Sequence, residues 1–548
     1  MFKTLPIGRD NFKDIIERNA YYVDKTDIIE EILKNKIYVA SFPRPRRFGK
    51  SLFISMIDNF FNIEYKDTNA YLFKDLKISK SNYYEYLSSR PVIKLDFKSL
   101  KQDNYELMLS SFKEMIREIY SNKKYLLEIL EDEEKNIFYG FLNETANIDK
   151  YQKSIYLLSN MLYRYYNKKV IILIDEYDVP VQQGYLKGFY DEIVSFIREV
   201  FSTSLKGNNN IEFAIMTGVL RVSKESLFSD LNNVEVYSII DRYYNESFGF
   251  TEVETKELLE YYNLKLNEEV KNMYDGYNFN GTEIYNPWSI LNYAKYKLLE
   301  PFWVNTSGNE LIINSIKNSS ENIKVVVEKL LTGDSVEFIY NDKITYLDYN
   351  NLKSLNNILN LLFISGYLTI DKITTDDFGN KKTFAKLPNE EVKYLFKNIL
   401  FEILTTDYRI ESSIIENFCK GVLYNDKELI ENALNRILPN ISYMDSSESF
   451  YHGYLLGLFS MFLNNTRFIV RSNRESGIGR FDVMIKDKER NIGMIIELKI
   501  TDGNIEEEAI KGLNQIEEKK YYQDLVSDGY KTIYKYAICF KDKMACVK

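Results

Sequence analysis

The stretch KIYVASFPRPRRFGKSLF, residues 36–53, runs an apolar segment into a basic turn that ends in Gly-Lys-Ser. Lys36–Phe42 reads as a short strand, and the text from Ser51 to about Phe61 reads as a helix. Between them, Arg44-Pro45-Arg46-Arg47-Phe48-Gly49-Lys50-Ser51 matches G-x-x-x-x-G-K-[ST] at every position except the first glycine, which is Arg44. The physical logic of such a loop is retained. Gly49 lets the backbone approach a phosphate, and the helix N-terminus after it presents free N–H groups. Lys50 can reach the β- and γ-phosphates, and Ser51 can ligate Mg²⁺. Four positive side chains and no acid lie between Arg44 and Ser51, so Arg46 and Arg47 join Gly49, Lys50 and Ser51 as contacts for a polyanion. A solvated basic turn that happens to contain Gly-Lys-Ser is the plainer alternative. The position between a strand and a helix favours the phosphate site.

Outward from this turn, residues 1–240 alternate strand-like and helix-like text. Pro91–Asp96 (PVIKLD) is a second strand, followed by helical, acidic text from Asp103 to Asp149. Lys169–Ile174 (KVIILI) is a continuous apolar run bounded by charges, the pattern of a strand buried on both faces, and Ile211–Met216 (IEFAIM) is another. Strands separated by helix-length stretches predict βαβ units and a mostly parallel sheet. Ligands gather at the carboxyl ends of such strands, and the third strand ends in Asp175-Glu176. Asp175 is placed to hold a Mg²⁺ shell and Glu176 to polarise water. The fourth strand runs into Thr217 and, four residues on, Arg221. Thr217 can sense a γ-phosphate and Arg221 can counter its charge; a capping threonine and a surface arginine are the alternatives.

With 548 residues, two or three domains are expected, and 45% apolar with 28% charged residues is an ordinary globular composition. The net charge of −9 excludes a surface that coats polyanions wholesale, so nucleic-acid contact must come from local patches. A single histidine, His452, excludes Ser-His-Asp or Cys-His catalysis away from that position, and any His-rich zinc site. Proton transfer elsewhere falls to Asp, Glu, Lys, Tyr or water. Cys419, Cys539 and Cys546 form no CxxC pair and leave an odd count, which points to a reducing compartment. With no apolar leader and no apolar run near the roughly 20 residues of a membrane span, a cytoplasmic protein with no membrane partner is expected.

Residues 241–440 turn largely helical, with amphipathic stretches at Glu252–Tyr262, Pro287–Leu298 and Asn389–Leu404 and a capping box from Thr251 to Glu254. Residues 441–548 change pattern again. A helix (Glu448–Leu463) precedes strands at Arg467–Arg471, Arg480–Ile485 and Ile492–Ile500, then a helix (Ile505–Tyr522) and a last strand (Lys531–Phe540), an αβββαβ order. Asp482 lies on one of these strands and Glu497-Leu498-Lys499 on the next. Period-two geometry puts Glu497 and Lys499 on one face, where a neighbouring strand can bring Asp482 alongside. Two carboxylates can then hold a hard divalent cation while Lys499 orients or activates water. Arg467, Arg471, Arg474 and Arg480 flank this text against a single acid, Glu475, as a local phosphate-binding patch requires. A solvated cross-strand charge cluster is the alternative.

Longer strings carry resemblances. LPIGRDNFKDIIERNAYYVDKT (5–26), RPRRFGKSL (44–52), VIILIDEYDVPV (170–181) and MTGVLRVSKESLFSDLNNV (216–234) resemble the AAA-ATPase-like family of bacterial and mobile-element proteins, through YDGYNF (274–279) and YNPWSI (285–290). That family shows the same Arg-Pro-Arg-Arg-Phe-Gly-Lys-Ser loop, and the resemblance implies ATP as the nucleotide. SNRESGIGRFDVMI (472–485), IIELK (495–499) and AIKGLNQIEEKKYY (509–522) resemble the PD-(D/E)XK nuclease superfamily, with Phe481 where the motif's name has proline. This resemblance implies that Asp482 and Glu497 bind Mg²⁺ (with Mn²⁺ as a substitute), that Lys499 is the catalytic lysine, and that Gln515 faces the site from the following helix. Glu448 is a further candidate metal contact; His452, four residues on, shares its helix face. The expected fold class is α/β. A P-loop NTPase-like parallel sheet (1–240) precedes a helical connector (241–440) and a small restriction-endonuclease-like domain (441–548). The expected function is an ATP-binding protein, an ATPase, coupled to a Mg²⁺-dependent nuclease acting on nucleic acid, with DNA as the foremost substrate. The alternative is an ATP-dependent switch or assembly protein whose nuclease-like domain binds without cleaving. Oligomeric state is not derivable from these features.

Overall fold

A computed structural model of the chain describes residues 2–220, 233–304, 306, 310–317, 322–341, 354–375, 381–407, 411–440, 451, 455, 458–459, 467–476 and 479–548. The chain divides into two compact units, Met1–Ser315 with Glu337–Glu391, and Ile316–Val336 with Val392–Lys548. Residues 241–440, expected as a connector, are thus shared between the two.

The first unit is built on five strands: β1 (Val39–Pro43), β2 (Val92–Asp96), β3 (Val170–Asp175), β4 (Ile211–Gly218) and β5 (Val234–Val236). Their order is β2-β3-β4-β1-β5, and all four pairings are parallel. Every residue of β1 and β3 is buried, as expected of apolar runs covered by helices on both faces. The short edge strand β5 escaped the sequence reading because three residues carry no period. Since β4 lies between β1 and β3, Thr217 is in register with Phe42 on one side and one residue beyond the Met216–Ile174 pair on the other. The carboxyl ends of β1, β3 and β4 therefore converge.

The expected helices follow within a few residues, among them Glu252–Tyr261, whose Thr251–Glu254 capping box is present in full, and Pro287–Tyr296. These helices are joined by strands that the sequence reading did not single out. Strands β6 (Phe250–Thr251), β7 (Tyr277–Phe279) and β8 (Thr282–Tyr285) form one small antiparallel sheet, and β9 (Val336–Phe338), β10 (Thr369–Thr375) and β11 (Lys381–Lys386) another.

The second unit carries a mixed sheet of β12 (Phe468–Ser476), β13 (Gly479–Asp487), β14 (Ile492–Ile500), β15 (Thr532–Lys541) and β16 (Met544–Val547), in that spatial order. Only the β14–β15 pair is parallel, and the helix Ile505–Lys519 connects the two. The unexpected strand β16 closes the edge as a hairpin. A side chain of the helix Lys427–Ile437 covers it: Asn435 both donates to the Ala545 carbonyl (3.0 Å) and accepts its N–H (2.8 Å), as a further strand would. Most of the expected helix Glu448–Leu463, including Glu448 and His452, lies outside the described residues. Among the described residues, no helix is long and apolar enough to cross a membrane.

Candidate functional site

In the first unit, Gly49 adopts a left-handed backbone (φ 90°) as N-cap of the helix Lys50–Phe61 and makes no side-chain cap hydrogen bond. The free helix N–H groups thus face the loop, and only glycine takes this turn without strain. Lys50 is buried, and its Nζ donates to the carbonyls of Arg44 and Pro45, both at 3.0 Å. Burial pushes its ammonium pKa down, against the pull of Glu176, Asp178 and Asp175. Arg44 does not take part in a phosphate cradle, contrary to its count among the loop's positive charges. Its guanidinium is fully buried, donates to the Pro43, Tyr237 and Tyr244 carbonyls, and lies over Phe248 at 4.9 Å. Burial lowers its pKa to about 9. The missing first glycine is therefore an anchor that fastens the loop to residues 237–248.

Asp175 ends β3 in a buried position, accepts from the Thr217 hydroxyl at 2.5 Å and from the Glu176 N–H at 3.1 Å. Glu176 turns through a left-handed backbone (φ 52°), and burial raises its carboxyl pKa. Asp178 was not singled out from sequence. It accepts the N–H groups of Val219 (3.0 Å) and Leu220 (2.8 Å), tying the β3 turn to the β4 turn. Its signal was present in the Asp-Glu-Tyr-Asp run, but nothing local shows that β4 supplies its partners. Arg221 lies outside the described residues.

A cavity of about 630 Å³ opens over this convergence. Arg46, Arg47, Gly49, Lys50, Ser51 and Glu176 line it, and Tyr21, Tyr22, Met56, Phe250, Trp288 and Leu291 add apolar and aromatic wall. A basic, N–H-rich end beside an aromatic wall suits a ligand with a polyphosphate and a flat ring. Asp175 and Thr217 are buried at the strand ends and lie outside the cavity lining, which takes Glu176 and Asp178 from the turn after β3.

In the second unit, the β13–β14 ladder runs from Asp487–Ile492 to Val483–Ile496. At the next pair, the Asp482 side chain accepts the Leu498 N–H at 2.7 Å, which brings the Asp482 carboxylate beside Glu497. Glu497 is buried on β14, and its Oε1 accepts from Lys499 Nζ (2.9 Å) and Gln515 Nε2 (2.6 Å). Gln515 Nε2 also meets the Tyr521 hydroxyl at 2.9 Å. Burial, and then the Asp482 charge, push the Glu497 carboxyl up to about 7. Glu497 Oε2 is buried and meets no donor among the described residues. An oxygen left so, beside a second carboxylate, fits a hard divalent cation. Asp482, Glu497, Lys499 and Gln515 are thus together; Glu448 lies outside the described residues. Tyr521 was missed, because it lies in a turn after the helix and only packing brings it back to Gln515.

The expected arginine patch is corrected in part. Arg467 pairs bidentately with Asp487 (2.8 and 2.7 Å) and reaches Glu489 at 3.0 Å, so it clamps the β12–β13 hairpin. Its sign was legible, whereas its partner across the hairpin was not.

Comparison with known proteins finds a match at each end of the chain. A family model described as "Predicted AAA-ATPase" matches residues 6–228, and one described as "PD-(D/E)XK nuclease superfamily" matches residues 446–548. The chain is also 23% identical over 495 residues to a protein of Azotobacter chroococcum mcd 1 named "Uncharacterized protein in vnfD 5'region", covering 88% of this chain and 87% of that one. Between the Gly49-Lys50-Ser51 turn and the Asp482–Glu497–Lys499 cluster, the chain joins a predicted AAA-ATPase domain to a C-terminal domain of the PD-(D/E)XK nuclease superfamily.

Proposed function

We propose that the protein is an ATP-dependent nuclease, in which ATP binding and hydrolysis in the first unit govern phosphodiester hydrolysis, foremost in DNA, at the second. The observation that carries this reading is Glu497: a buried carboxylate with one oxygen held by Lys499 and Gln515 and the other without a donor among the described residues, next to Asp482. A buried carboxylate oxygen left without a donor is costly, and a bound cation removes that cost. Asp482 and Glu497 would hold Mg²⁺, or Mn²⁺ in its place, which supplies positive charge where phosphate oxygens gain negative charge. Lys499, tied to Glu497, orients a water for in-line attack at phosphorus and counters the developing charge. Gln515 holds Glu497 in place, and Tyr521 holds Gln515.

The nucleotide half rests on the cavity. The Gly49 turn and the helix N-terminus receive phosphate oxygens, Arg46 and Arg47 counter their charge, and Lys50 exchanges loop carbonyls for them. Ser51 and Asp175 would hold the Mg²⁺ of the nucleotide, Thr217 fixes Asp175, and Glu176 polarises water. The three buried, unpaired cysteines accord with a cytoplasmic setting.

The test is incubation of the full chain with supercoiled, linear and single-stranded DNA in Mg²⁺ or Mn²⁺, each with and without ATP. Cutting that needs the metal is expected, reduced about a hundredfold or more in Glu497→Ala and Lys499→Ala. Undiminished cutting by either variant removes the assignment. Binding of ATP and DNA with every substrate left intact moves the second unit to a binding role.

A further inference from the structure

The chain holds two tryptophans, and both touch the phosphate loop from outside the parallel sheet. Trp303 Nε1 donates to the Arg46 carbonyl at 3.1 Å, and Trp288 lies under the Arg47 guanidinium at 4.4 Å. Asn286, the N-cap of the helix that carries Trp288, also donates to the Arg46 carbonyl, at 3.4 Å. On the loop's other flank Gly366 packs so closely that a Cβ there would meet Pro45 at 2.7 Å.

Behind Trp303 stands Glu391, fully buried. It accepts the Trp303 backbone N–H at 2.5 Å and the Ser289 hydroxyl at 2.8 Å. One carboxylate therefore joins the two segments that carry the tryptophans. Among the described residues no cation pairs with it, and the Phe302 backbone N–H adds a third donor. The loop needs such support. Arg47 has a left-handed backbone (φ 65°), which costs free energy in a residue with a side chain and is offset by contacts that hold the turn.

We propose that Glu391 is a positioning residue for the nucleotide site: through Trp303 it fixes the Arg46 carbonyl, and with it the turn that presents the Gly49–Ser51 N–H groups. The inference rests on the nucleotide reading of the cavity. No part of this bracket belongs to the strand–loop–helix motif itself; it comes from residues 286–303, 366 and 391 of the same unit.

The test is titration of full-length wild type, E391A, E391Q, W303F and K50A with the magnesium complex of a fluorescent N-methylanthraniloyl ATP. E391A and W303F are expected to weaken binding about tenfold each, the loss of one buried hydrogen bond at the loop. E391Q is expected to stay within about threefold of wild type, because an amide oxygen still accepts the Trp303 N–H. In a W288F background, Mg·ATP should change the emission of Trp303, and adding E391A should abolish that change at saturating nucleotide. Should E391A fail to fold, W303F decides, since it keeps a buried aromatic ring and loses the Nε1–H together with part of the indole. If wild type binds, K50A does not, and W303F and folded E391A bind like wild type, the positioning role is overturned. If wild type binds no nucleotide, or K50A binds as well as wild type, the nucleotide reading falls and this inference falls with it.

Discussion

Glu391 shows what a single buried side chain does to the pH response of the fold. Burial pushes its carboxyl up to about 8, while an exposed glutamate titrates near 4.5. Between those values the folded chain keeps a proton that the unfolded chain has released. Stability from this group is therefore present below 4.5 and declines as pH rises toward 8. Glutamine removes the titration. E391Q is expected to gain stability relative to wild type as pH rises from 5 to 8, on the order of a few kcal/mol, and to level off above that. Urea unfolding at pH 5, 7 and 9 measures it; a difference independent of pH would show that Glu391 is ionised in the fold throughout. Gly218 makes a related point about close approach. A Cβ there would meet Asp178 Oδ1 at 2.6 Å, so the carboxylate that ties two strand ends together needs glycine beside it.

At the scale of elements, the nuclease-like cluster depends on how one helix lies on two strands. The helix Ile505–Lys519 crosses β14 and β15 at Gly512, where a Cβ would stand 3.1 Å from Ala537 Cβ and 3.3 Å from Lys499 Cγ. Gln515, three residues on, then reaches Glu497. A branched side chain must push the helix outward and take Gln515 with it. Gly512→Val is expected to cost about 1–3 kcal/mol and to lower DNA cleavage more than Gln515→Ala does, because both the amide and the packing over Lys499 are lost. Thermal melts and cleavage rates of the two variants check this. Glu497 and Lys499 could be placed on one face from the two-residue period alone. Gln515 came from resemblance, and Tyr521 from neither. Arg467 was misjudged because a charge in sequence does not reveal that Asp487 stands across the hairpin.

For the whole molecule, the two compact units make the two ligand responses separable. Under the proposed function, Lys50→Ala should abolish stabilisation by nucleotide and keep stabilisation by Mn²⁺, and Glu497→Ala should do the reverse. At a hundredfold excess over Kd, each response amounts to about 2.7 kcal/mol. Differential scanning calorimetry with each ligand in turn measures both; a variant that loses both responses would show that the sites are not held by separate cores. The sequence by itself determined the motifs whose parts are contiguous or one period apart: the Arg44–Ser51 turn, the Asp175-Glu176 strand end, and Glu497 with Lys499. Backbone geometry alone brings such residues to one place. Only the tertiary structure decided that Arg44 is a buried anchor, that Asp178 bridges two strands, that Trp303 and Glu391 brace the loop, and that Tyr521 backs Gln515. Those groups are tens to hundreds of residues from their partners or separated from them by a turn, and close packing, which no local pattern encodes, sets their distances.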